Sequence, residues 1–134
     1  LTEIPGVSSI LDRGFITYTN ESKMQVLGVA PAYLRDFGAV SEPVARAMAL
    51  GALSHSSAQV AVAVTGVAGP SGATPAKPVG TVSFAWAIRR DASQAAWVKT
   101  ETLRFEGDRG AVRTQSIIAA LETLVGLLKQ RQDI

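Results

Sequence analysis

Apolar positions along the chain change period several times, and the changes mark its elements. Val60–Val64 reads Val-Ala-Val-Ala-Val with no polar alternation, the pattern of a strand covered on both faces. Val79–Ile88 is again apolar and β-branched, and Ala96–Phe105 alternates approximately. The polar stretch Arg89–Gln94 between them predicts an antiparallel hairpin. Trp86 and Trp97 are expected in the hairpin core, facing each other or a helix layer. Asp108 to about Gln130 carries the helical period, with Val112, Ile117, Ile118, Leu121, Leu124, Val125 and Leu128 on one wide stripe. Asp108 at its start and Lys129 and Arg131 at its end suit the helix dipole. Val44, Ala47, Met48, Gly51 and Ala52 predict a helix to about Ser54, with Ser41 as N-cap and Pro43 in the first turn. Two shorter helices are predicted over Glu21–Leu27, capped by Asn20 and stopped by Gly28, and over Pro31–Phe37, stopped by Gly38. Gly14–Tyr18 reads as a short strand, and Leu1–Ile4 as a helix tail stopped by Pro5-Gly6. The order strand, helices, strand, hairpin, helix predicts an α/β fold: a single-domain, three-layer α/β/α sandwich with a mixed sheet.

Composition narrows the chemistry. With 134 residues there is room for one domain, and 47% hydrophobic against 18% charged residues excludes intrinsic disorder. There are no cysteines, which removes disulfides, thiolate metal sites and thiol nucleophiles. The single histidine, His55, reads as a helix-end residue, and no metal is expected. A formal net charge of +2 gives no strong field for nucleic acid. No apolar run of bilayer length and no leader-like opening is apparent, so a soluble cytoplasmic protein is expected, with no membrane partner. The start at Leu1 predicts either a fragment or an omitted upstream segment.

Three segments carry candidate chemistry. Thr65 to Gly80 leaves the apolar strand with four glycines (Gly66, Gly69, Gly72, Gly80) and three prolines. Backbone N–H groups in such a loop can cradle an anion. Without Gly-Lys-Ser/Thr it is no Walker loop, and with no helix after it no dinucleotide fingerprint. An ordinary strand connection is the equal alternative. Tyr18-Thr19-Asn20-Glu21-Ser22-Lys23 places a lysine in the first turn of a helix, where the dipole disfavours its charged form. A solvated surface lysine is the plain alternative. Arg109 and Arg113, one turn apart, could hold a phosphate or pair with Asp108 and Glu106.

Several strings then coincide in order and spacing: Pro5-Gly6-Val7-Ser8, Tyr18 to Lys23, Leu27-Gly28-Val29, Gly38 to Glu42, Thr65-Gly66-Val67-Ala68-Gly69-Pro70-Ser71-Gly72, Lys77-Pro78-Val79-Gly80-Thr81-Val82, and Gly107-Asp108-Arg109 with Arg113. Over nearly the whole chain they resemble the C-terminal domain of the competence/damage-inducible protein CinA, which also occurs alone as nicotinamide-nucleotide amidohydrolase. The resemblance implies hydrolysis of the carboxamide of nicotinamide mononucleotide, with no metal or cofactor, in a homodimer. It implies a serine nucleophile, Lys23 as general base and Tyr18 assisting. Asn20, Thr65, Gly66, Ala68, Gly69, Gly72, Arg109 and Arg113 are expected at the substrate. The serine belongs to a Glu-Ser-Cys-Thr-Gly-Gly string that these 134 residues do not contain. The resemblance therefore implies a domain lacking its N-terminal strand and nucleophile. The alternative is a non-catalytic nucleotide-binding, regulatory or oligomerisation domain.

Overall fold

Small residues on one face of the sheet and aromatic residues on the other divide the molecule into two cores. The computed structural model describes residues 1–131. Its strands are β1 (Val60–Gly66), β2 (Thr81–Ile88) and β3 (Trp97–Arg104). Its helices are α1 (Asn20–Leu27), α2 (Pro31–Phe37), α3 (Glu42–Ser54) and α4 (Arg109–Gln130). The sheet order is β1-β2-β3 and both pairings are antiparallel. The predicted mixed sheet is thus corrected among the described residues: β1 enters β2 through a long reversing loop, and β2 enters β3 through a hairpin.

The three layers are as predicted. On one face Ala63, Ala85 and Ala87 lie against Val44, Ala45, Met48, Ala49 and Leu53 of α3, with Leu27 and Val29 closing the cluster. Alanines let the helix approach the sheet closely, and α3 makes the densest helix–sheet packing of the chain. On the other face Val82, Phe84 and Trp86 meet Val112, Ala120 and Leu127 of α4. The Trp86 and Phe84 rings stack at 5.5 Å, and Trp86 Nε1–H donates to the Ala120 carbonyl at 2.9 Å. Trp86 therefore faces the helix layer, opposite Lys99 in the register, while Trp97 sits at the sheet end beneath the Arg131 guanidinium.

Caps explain most boundaries. Ser41 accepts the Val44 N–H and Asp108 the Ala111 N–H, as predicted. The α1 cap is Thr19 rather than Asn20: Thr19 Oγ1 accepts the Ser22 N–H while Ser22 Oγ accepts the Thr19 N–H. A reciprocal box satisfies two orphan donors, and a single asparagine satisfies one. His55 ends α3 as predicted, its N–H donating to the Gly51 carbonyl.

Three further expectations are corrected. Gly14–Tyr18 is extended but pairs with no strand, so it is not part of the sheet among the described residues. Leu1–Ile4 is turn rather than helix, and a short 3-10 turn over Val7–Ser9 follows it. The strand β1 is not covered on both faces: it is a sheet edge, and Val64 stays 42% exposed. The same surface explains α4. Its stripe is apolar on two sides, with Val112 buried on the sheet but Ile117 60% exposed and Ile118, Val125 and Leu128 also open. By length and composition α4 could cross a membrane. Here it packs lengthwise on β2 and forms one wall of a groove beside β1.

Candidate active site

Lys23 is the most unusual charge in the chain. It lies in the first turn of α1, yet only 6% of it is exposed. Its Nζ donates to the Thr17 carbonyl at 2.7 Å and lies 3.5 Å from that of Tyr18. The extended segment before α1 therefore folds its own carbonyls over the ammonium. Burial lowers the Lys23 pKa from its ordinary value. The direction matches the sequence expectation, with desolvation as a cause that the sequence did not show. The Tyr18 side chain is 84% exposed. Alternation along the segment turns Phe15 and Thr17 inward and Ile16 and Tyr18 outward, so Tyr18 meets Lys23 through its carbonyl and not its phenol. Asn20, the first residue of α1, is exposed beside them.

The glycine loop is held at both ends. Val67 N–H donates to the Thr81 carbonyl (2.9 Å), Gly80 N–H to that of Val67 (2.7 Å) and Phe105 N–H to that of Gly80 (2.8 Å). Thr65 is buried, and its hydroxyl donates to the Ala39 carbonyl at 2.9 Å. It ties β1 to the entrance of α3. Gly69 has φ +77°, and a Cβ there would meet Val79 Cγ1 at 2.7 Å. The Gly69-Pro70 peptide is cis. The Gly69 carbonyl accepts from Arg109 Nη1 at 3.0 Å.

Two cavities flank this loop. The larger, about 600 Å³, runs between β1 and α4 and is lined by Gly66, Ala68, Val64, Arg113, Ile117 and Leu121 among others. The smaller, about 310 Å³, lies on the other side and includes Gly72, Thr74, Lys77 and Gly38. Lys77 Nζ also donates to the Phe37 carbonyl. Lys77 was not singled out as a site residue from sequence, although the Lys-Pro-Val-Gly string containing it was visible. The expected pairing of Arg109 or Arg113 with Asp108 or Glu106 is absent: among the described residues the ion pairs are Arg13–Asp12 and Arg35–Asp36. The structure thus gathers Gly66, Ala68 and Arg113 on one groove, and joins Arg109 to Gly69. It places Gly72 on the opposite cavity, and Lys23, Tyr18 and Asn20 on α1 with its approach. Among the described residues no cluster of His, Asp or Glu could hold a metal ion.

A three-layer domain with a glycine loop clamped at the carboxyl end of an edge strand and a buried lysine within its first helix defines a small α/β class. Comparison makes the class specific. The model of the family "CinA C-terminal domain" matches residues 1–128, and the chain belongs to that family. It is 52% identical over 124 residues to a putative competence-damage inducible protein of Symbiobacterium thermophilum, covering 90% of this chain but 29% of that protein. It is 48% identical over 127 residues to nicotinamide-nucleotide amidohydrolase PncC of Pseudomonas putida, covering 95% of this chain and 76% of that enzyme. The crystal structure of competence/damage inducible protein CihA from Agrobacterium tumefaciens matches at TM-score 0.87 and 45% identity, over 94% of this chain and 74% of that one. The chain thus spans under a third of the long relative and about three quarters of the amidohydrolase.

Proposed function

We propose that this domain serves the hydrolysis of the carboxamide of nicotinamide mononucleotide, giving nicotinate mononucleotide and ammonia. The observation that carries the reading is the buried Lys23, whose pKa is lowered by desolvation. A lysine whose charged form is disfavoured by burial can take the proton of a hydroxyl nucleophile where no histidine is at hand. In this reading a serine hydroxyl attacks the carboxamide carbon while its proton passes to Lys23 Nζ. The tetrahedral intermediate collapses, Lys23 returns the proton to the departing nitrogen, and ammonia leaves. Water then cleaves the acyl ester, releasing the carboxylate and the serine. Loop N–H groups near Gly66–Gly72 would face the developing oxyanion, and Tyr18 and Asn20 would flank the base.

The Ser-Cys-Thr-Gly-Gly string that would supply the serine is not among these 134 residues, which hold no cysteine. Two features favour a nucleophile-bearing segment seated beside β1. The outer edge of β1 pairs with nothing among the described residues, and the adjoining groove is walled by apolar side chains. In the Pseudomonas putida relative named as an amidohydrolase, about a quarter of the length lies outside the match. Because the nucleophile string lies outside these residues, nucleotide binding without hydrolysis is the second reading.

Ammonia release from nicotinamide mononucleotide by the full-length protein carrying this domain tests both. Turnover that collapses by orders of magnitude in Lys23→Ala, with the fold intact, supports hydrolysis. Binding without turnover selects the second reading, and unchanged turnover in Lys23→Ala removes Lys23 from the mechanism. Residues 1–134 alone are expected to release no ammonia.

A further inference from the structure

We propose that Arg109 is a positioning residue that acts on substrate through the glycine loop, and that it is not itself the ligand of an anionic group. The inference rests on the reading of that loop as part of the substrate site. Arg109 is the first residue of α4, and its backbone is fixed there by the cap: Asp108 accepts the Ala111 N–H through its side chain and the Val112 N–H through its carbonyl, both at 2.9 Å. From that anchor its guanidinium reaches forty residues back along the chain to the Gly69 carbonyl at 3.0 Å. Among the described residues this is the one side-chain hydrogen bond between α4 and the loop.

The chemistry of that carbonyl gives the contact its purpose. Gly69 is followed by Pro70, so the peptide between them has an oxygen and no N–H. A loop that receives a phosphate or a developing oxyanion through its N–H groups gains nothing from such a peptide, and an unpartnered carbonyl dipole beside the anion would oppose binding. The positive φ of Gly69 and the contact with Val79 leave that peptide little freedom. Arg109 then satisfies the oxygen and holds it to the α4 side. The same bond fixes the loop relative to the wall of the groove on which Arg113, one turn further along α4, is exposed. Two arginines that look equivalent in sequence are thus placed differently: one on a backbone oxygen, the other on the groove.

Two arms test this. In the first, amide hydrogen exchange is measured on the 134-residue chain with Arg109→Ala, Arg109→Lys and Arg113→Ala. The clamp predicts that Arg109→Ala speeds exchange at Val67 and Gly80, the loop amides bonded to the Thr81 and Val67 carbonyls, by about 10-fold or more, with recovery in Arg109→Lys and no change in Arg113→Ala. Unchanged exchange in Arg109→Ala overturns the proposal. In the second arm, the full-length protein is assayed on nicotinamide mononucleotide and on nicotinamide riboside, which lacks the phosphate. A positioning role predicts that Arg109→Ala lowers kcat on both by the same factor, about 10- to 100-fold, with KM little changed and partial rescue by Arg109→Lys. A loss confined to the mononucleotide, read in KM, makes Arg109 a phosphate ligand and overturns the proposal. If the wild type turns over neither compound, the functional reading fails and the exchange arm alone decides the clamp.

Discussion

Replacing Gly51 by alanine should destabilise the protein, against the ordinary preference of a helix. Gly51 lies inside α3, where alanine normally gains about 1 kcal/mol over glycine. Here a Cβ would stand 2.0 Å from the Leu27 carbonyl oxygen and 2.9 Å from its carbon. Both are backbone atoms of the last turn of α1, so no rotamer can yield. The helices must part by more than about 1 Å before ordinary contact returns. Forcing extra volume into a packed contact costs about 1–3 kcal/mol, and an overlap on backbone atoms that cannot rotate away belongs to the upper end, about 2–3 kcal/mol. Subtracting the propensity gain leaves a net loss of about 1–2 kcal/mol, or roughly 3–8 °C in Tm. Gly126 is the control, since it lies inside α4 with nothing within 4 Å of a Cβ. Gly126→Ala should therefore gain up to about 1 kcal/mol. Urea unfolding of both variants, followed by the fluorescence of buried Trp86, gives the comparison. The shift also reaches the site: Leu27 is one turn beyond Lys23, so parting α1 from α3 should loosen Lys23 over the Thr17 carbonyl. A Gly51→Ala protein as stable as wild type, beside a stabilised Gly126→Ala, would refute the packing argument.

Two further outcomes follow from burial. Lys23 binds fewer protons folded than unfolded between its lowered pKa and the ordinary 10.5, so its cost to stability is full below that window and fades as pH rises through it. The stability difference between wild type and Lys23→Met should accordingly shift in favour of wild type towards alkaline pH, and a pH-independent difference in urea midpoints would show that desolvation is not the cause. Trp86→Ala empties a fully buried position stacked on Phe84 and bonded to α4, and should cost about 3–5 kcal/mol; a loss below 1 kcal/mol in chemical denaturation would mean the α4 core closes over the gap.

Much of the fold was legible because local signals and packing agree. Ser41, Asp108 and Gly38 mark helix ends by capping chemistry that the structure uses, and the hairpin from Thr81 to Arg104 was visible in its two apolar runs. Gly14–Tyr18 was misread because β-branched and aromatic residues favour any extended, half-buried path, paired or not. Thr19 was overlooked as a cap because the box needs Ser22 to answer it, a serine where glutamate or glutamine is the usual sign. Lys23 was legible as a residue but not as an environment: what buries it is the carbonyl of Thr17, and a carbonyl leaves no mark on the sequence. Arg109 and Arg113 were indistinguishable for the same reason, since the partner of Arg109 is the backbone of a loop forty residues away.

The uncovered sides of β1 and of α4 have one physical origin. An unbroken apolar strand and a helix stripe wider than one contact each signal two neighbours. Among the described residues β1 has β2 on one edge and α3 against one face, and α4 has the sheet beneath one side only. The unsatisfied sides are the same surface, because Val62 and Val64 of β1 and Ile117 and Leu121 of α4 line one groove. An edge strand is normally blunted by charge or proline, yet Val60–Gly66 carries neither. These residues thus carry more apolar surface than the described residues cover. The strand edge supplies backbone partners, the groove supplies apolar contacts, and Gly66 and Ala68 bring the glycine loop to its end. A strand laid there would deliver its terminus to the loop that Arg109 holds. This is why the fold's open edge and its candidate chemistry are one problem and not two.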